Sequence, residues 1–143
     1  LNSRGDIVSP EKRQAELSFL KETRFADGEE FLKKYNEFAE TDGRIVSLFN
    51  DDSKTYAEWI GKNEHKVNEE FNKAEAIVKA MRSYQVSEKA KKKVDLLEQL
   101  LHARKEEVSI IKKLSTGDND ADQRKRLEIQ KKEENIVNEL KKS

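Results

Sequence analysis

The chain has no cysteine, one proline and five glycines in 143 residues. Without cysteine there can be no disulfide, no thiolate metal site and no cysteine nucleophile. So few turn-forming residues argue against an all-β fold, which would need many of them. Net charge is also missing, because 29 basic residues cancel 29 acidic ones. That balance removes the simplest nucleic-acid reading, since binding phosphate favours an excess of Lys and Arg. No uninterrupted run of about 18 apolar residues occurs, so no segment reads as a membrane-spanning helix. The glycines are scattered and form no G-x-S-x-G, Walker A or G-x-G-x-x-G arrangement. Aromatic residues are confined to one part: all ten lie at or before Tyr84.

Leu, Ile, Val and Phe make up 34 of the 143 residues, while Asp, Glu, Lys and Arg make up 41%. That apolar share, with no net charge, lies outside the compositional region of intrinsic disorder. A single folded domain with a thin core is expected. The charge split along the chain is mild, at −3 over residues 1–86 and +3 over 87–143. Position 1 is Leu and the only methionine is Met81, so Leu1 is not a translation start. A processed protein or a piece of a longer chain would begin this way. The first option suits a secreted protein or bacterial lipoprotein. The second suits an ectodomain between two membrane spans, or part of a cytosolic protein. Lys outnumbers Arg 21 to 8, which fits a low-GC bacterium.

Residues 1–8 read as an extended lead-in. A helix start follows, with Ser9 as N-cap, Pro10 in the first helical position and Leu17, Leu20 and Phe25 on its buried side. Asp27-Gly28-Glu29-Glu30 reads as a second start, capped by Asp27. From there the spacing alternates between three and four, through Leu32, Tyr35, Ala39, Asp42, Val46 and Phe49. Phe31, Phe38, Ile45 and Leu48 form a stripe beside it. Such spacing marks one face of a helix. Asn50-Asp51-Asp52-Ser53 is the turn candidate. The rhythm then continues through Tyr56, Ile60, Val67, Phe71, Ala74, Val78 and Met81. The phase runs unbroken across the turn candidate, so one helix over 31–84 is an alternative to two; typical helix lengths favour two.

Ser87-Glu88 opens the next helix. It carries two adjacent rows: Val94, Leu97, Leu101, Val108 and Ile111, with Leu96, Leu100, Ala103, Ile110 and Leu114 beside them. A face this wide packs against more than one neighbour, as in a bundle. A loop is expected over 115–120. The last helix, from about 121 to 141, has a sparse apolar set of Leu127, Ile129, Ile136, Val137 and Leu140, and is expected on the outside.

Candidate chemistry is thin. His65 has Glu69 four residues on, and His102 has Glu98 and Glu106 four residues to either side. That spacing can put a histidine and a carboxylate on one face, but the doubled Glu-x-x-His of a di-iron bundle is absent. Solvated pairs are the simpler reading. Doublets such as Glu106-Glu107 and Glu133-Glu134 read as exposed charged faces, not as acid–base pairs in a dry cleft. Lys91-Lys92-Lys93 and Arg124-Lys125-Arg126 also read as solvated, since no aromatic is interleaved for base stacking. Arg4-Gly5-Asp6 is the integrin-type tripeptide in a segment expected to be exposed. In Tyr56-Ala57-Glu58-Trp59-Ile60, the Trp-Ile pair resembles the start of a spectrin-type repeat. The likeness stops with that short segment and assigns no family. Trp59 lies at the edge of the apolar stripe, where it either completes the core or anchors a partner, with Tyr56 beside it. Gly61 marks a close helix crossing or a kink.

The expectation is all-α: an elongated, antiparallel up-and-down bundle of three to four long helices over 9–143, with a possible short extra N-terminal helix. The expected function is non-catalytic, with no cofactor and no nucleic acid. Protein–protein contact or self-association would use one helical face, with Trp59, Tyr56, Arg4, Gly5 and Asp6 as candidate contacts. The expected location is outside the cytoplasm, with a possible membrane tether beyond the chain. A ligand-sensing ectodomain of a chemoreceptor or sensor kinase and a cytosolic helical adaptor are the alternatives.

Overall fold

Two helices are closed at their starts by their own side chains, at the expected Ser87 and at Thr55, which the spacing does not single out. Ser87 Oγ accepts from Ala90 N at 3.1 Å, and Thr55 Oγ1 accepts from Glu58 N at 3.0 Å. Each satisfies a donor that a first helical turn leaves open. The computed structural model describes residues 27–142, in four helices: α1 (Gly28–Phe49), α2 (Tyr56–Arg82), α3 (Glu88–Thr116) and α4 (Asp120–Lys141). The lead-in over 1–8 and the helix expected from Ser9, with Leu17, Leu20 and Phe25, lie outside the described residues. Asp27 holds the N-cap position of α1 without capping it. Its Oδ2 instead accepts from Gln85 N at 2.6 Å, tying the start of α1 to the loop before α3.

Residues 31–84 form two helices. The break spans 50–55, slightly longer than the four-residue turn expected. Asp51 organises it by accepting from Asn63 Nδ2 and from both N and Oγ of Ser53. Burial pushes the Asp51 carboxyl up, but these hydrogen bonds outweigh it and hold the group below the usual carboxylate range. The final loop is shorter than expected. Helix α3 runs to Thr116, and Asn119 caps α4 by accepting from Asp122 N at 2.8 Å.

Consecutive helices pack against each other, and ion pairs record their antiparallel register. Arg44 of α1 meets Glu70 of α2 at 2.8 Å. Between α2 and α3, Arg82 meets Glu98 at 2.9 Å near one end, and Glu64 meets Lys112 at 2.9 Å near the other. Lys93, near the start of α3, donates to the Leu140 carbonyl at the end of α4. The wide face of α3 is buried in both its rows, except for half-buried Leu96, and sits between its neighbours, as a bundle helix should.

The core has the two halves implied by the sequence. Phe31, Tyr35, Phe38, Phe49, Trp59 and Phe71 fill the α1–α2 side. Leu97, Leu100, Ile111, Ile136, Val137 and Leu140 supply the aliphatic side. Helix α4 is held by Ile129, Ile136, Val137 and Leu140. Leu127 does not join them and is 63% exposed, because it falls on the opposite side of the helix.

Gly61 does not mark a close helix crossing. Helix α2 is continuous through it, and a Cβ built there meets nothing within 4 Å. Gly61→Ala should therefore raise stability by about 0.5–1 kcal/mol, because alanine leaves less backbone entropy to lose. Urea unfolding followed by circular dichroism checks this; a loss of stability would place an unseen contact at that position.

Candidate functional site

Four charged side chains interrupt the apolar rows, and the fold gathers them inside. Arg104 of α3 is 0% exposed. Its Nε and Nη2 donate to the two carboxylate oxygens of Asp42 on α1, at 2.8 and 2.9 Å. Its Nη1 lies 3.3 Å from Glu133 Oε2 on α4. Burial works against the Arg104 charge, but Asp42, Glu133 and Glu107 outweigh it and hold the guanidinium above its ordinary value. One turn further along α3, buried Glu107 accepts from Gln130 Nε2 at 3.3 Å and lies 3.8 Å from Arg126 Nη2. The Arg126 guanidinium sits over the Tyr56 ring, 5.4 Å from its centroid, and Nη1 donates to the Tyr56 hydroxyl.

This corrects the reading of Glu106-Glu107 and Glu133-Glu134 as wholly exposed pairs. The second residue of the first pair and the first of the second are 0% exposed. The lysine run is corrected in the same way. Lys91 and Lys92 are exposed, but Lys93 is buried, lying over the Tyr35 ring as well as capping α4. A carboxylate that acts as a general acid or base has to meet its substrate. These carboxylates face other helices and tie α1, α3 and α4 together.

The expected contact residues do not share a surface. Trp59 is 2% exposed and stacked on Phe49, with ring centroids 5.4 Å apart and planes 8° apart. Its Nε1–H donates to the Leu48 carbonyl at 2.8 Å. Of the two places weighed for it, this is the core. Tyr56 is half-buried, and its hydroxyl is engaged by Gln123 and Arg126. Arg4, Gly5 and Asp6 lie outside the described residues. The histidines sit in solvated pairs, His65 with Glu69 at 2.9 Å and His102 with Glu106 at 3.3 Å. Among the described residues, no three His, Asp or Glu side chains gather as a metal site would need, and no helix is long and apolar enough to cross a membrane.

Among the described residues, two grooves lie elsewhere, astride the outer ridge of α3. One groove of about 420 Å³ runs between α2 and α3, over Val78 and Leu101. A second, of about 260 Å³, runs between α3 and α4, over Ile110 and Ile129. His102 and Lys105 line both, so the two grooves form one continuous face. Sequence reasoning missed this face. Its floor residues were legible as core positions, but a groove depends on how far neighbouring helices stand apart, which spacing along one chain does not encode. No protein-family model, curated protein or solved structure matches the chain.

Proposed function

We propose that the protein is a non-catalytic binding or accessory protein that works outside the cytoplasm, by protein–protein contact through the outer face of α3. The observation that carries this reading is the pair of grooves meeting at His102 and Lys105. They are shallow, lined by long charged side chains and floored by aliphatic ones, a pattern suited to a protein surface. The buried ionic groups support it too, because they act between helices.

A photo-crosslinking side chain placed at exposed Ser109, beside the second groove, tests this in the native host. A discrete protein adduct is expected there and not from exposed Ser47 on α1. The absence of any adduct from Ser109 would overturn the protein-binding reading. Digestion by external protease, or release by osmotic shock, checks the location; retention with cytosolic markers would overturn that part.

A second reading, the ligand-sensing ectodomain, is favoured by one feature. Asp27 meets Gln85 beside the start of α3, and Leu140 meets Lys93 near the same point. The described helices therefore begin and end at one end of the bundle, as two flanking membrane spans would require.

A further inference from the structure

Charge around the two grooves is lopsided in a chain whose total is zero. Five basic side chains line them, against three acidic ones. All three carboxylates are already neutralised: Glu75 pairs with Lys105, Glu98 with Arg82, and Glu106 with Lys132. The remaining cations, Lys79, Lys113 and Lys125, are exposed and have no ion-pair partner among the described residues. The face therefore presents unpaired positive charge around recessed aliphatic floors.

We infer that this face docks an acidic protein segment, one that sets Asp or Glu side chains against Lys79, Lys113 and Lys125 and inserts aliphatic side chains over Val78, Leu101, Ile110 and Ile129. The inference rests on the protein-binding reading above and names the partner's chemistry. Complementary charge steers such encounters and selects among partners. A nucleic acid fits less well, because no aromatic side chain lines either groove to stack on bases and three carboxylates remain at the rim. A membrane also fits less well, because an interfacial helix needs an exposed apolar face. Leu127 is the one large hydrophobic residue exposed among those described.

The test uses the full chain and a fluorescein-labelled peptide repeating Glu-Leu-Glu-Glu-Leu. Fluorescence anisotropy should show binding that weakens with salt. The combined Lys79→Glu, Lys113→Glu and Lys125→Glu variant should bind about tenfold more weakly or worse. Its circular dichroism and melting temperature should match the parent, since all three side chains are exposed. Reversing Lys66, Lys92 and Lys131, which line neither groove, changes net charge equally and should leave binding intact. Equal losses in the two variants would overturn the inference, as unspecific attraction. So would tighter binding to phosphatidylglycerol vesicles, or to the same peptide with Lys in place of Glu. The Ser109 adduct separates the two ideas. If it forms and survives the triple reversal, the partner is a protein but not an acidic one, and only the inference fails. If no adduct forms, the protein-binding reading itself fails.

Discussion

Arg104→Met is expected to destabilise the fold by about 3–5 kcal/mol, the scale of a buried ion pair that loses one partner. The guanidinium holds two helices to its own, with Asp42 on α1 in a two-point fork and Glu133 on α4 at 3.3 Å. Methionine fills much of the volume but takes the cation of the two-point fork away from the Asp42 carboxylate, whose side chain is 5% exposed. An uncompensated buried charge costs far more than a pair contributes, because water no longer solvates it. Arg104→Lys should fall in between, since an ammonium keeps the charge but cannot make the planar fork. Combining Asp42→Asn with Arg104→Met should recover part of the loss, so that the two single changes do not add. Urea unfolding of the parent, the three single variants and the double variant measures these differences. A loss below about 1 kcal/mol for Arg104→Met would mean that water reaches the site and the pair behaves as a surface one.

Those same charges mark where reading the sequence stopped. The three-and-four rhythm locates all four described helices, and the expected helix start at Ser87-Glu88 is where α3 begins. The break near Asn50 also follows, from clustered turn residues and from the length a single helix would otherwise reach. What the rhythm does not reveal is partnership. Along α3 it runs Leu97, Leu101, then Arg104, then Val108 and Ile111. Along α4 it runs Ile129, Glu133, Ile136 and Leu140. Asp42 sits on the α1 stripe in the same manner. Each charge is therefore legible as a core position filled by the wrong kind of residue. Asp42, Arg104 and Glu133 meet only because the loops set the axial register of three separate helices, and spacing along the chain does not carry that. Lys93 shows the same limit at shorter range. Its neighbours make it look solvated, while its phase with Leu97 and Leu100 turns it inward. The docking face was less legible still: Lys79, Lys113 and Lys125 look like any other exposed lysine until the pairs that neutralise Glu75, Glu98 and Glu106 are seen.

Trp59→Ala is the other large expected effect, also about 3–5 kcal/mol. Three losses combine. The indole is 2% exposed, so its removal leaves a cavity in a core that is thin for the chain's length. It stacks flat on Phe49 at 5.4 Å, and that contact joins the last residue of α1 to the first turn of α2. Its N–H also adds a 2.8 Å hydrogen bond to the Leu48 carbonyl in the last turn of α1, where the only other donors are the N–H groups of Asn50 and Asp51 just past the helix. Trp59→Phe separates these contributions. It keeps an aromatic ring against Phe49 but leaves the Leu48 carbonyl only the backbone N–H groups of Asn50 and Asp51, so a smaller loss of about 1–3 kcal/mol is expected. Because Trp59 is the only tryptophan, its emission in the parent protein should be blue-shifted when folded and move red on unfolding. If Trp59→Ala proved as stable as the parent, the indole would be dispensable to the core, and Trp59 would return to the candidate partner contacts.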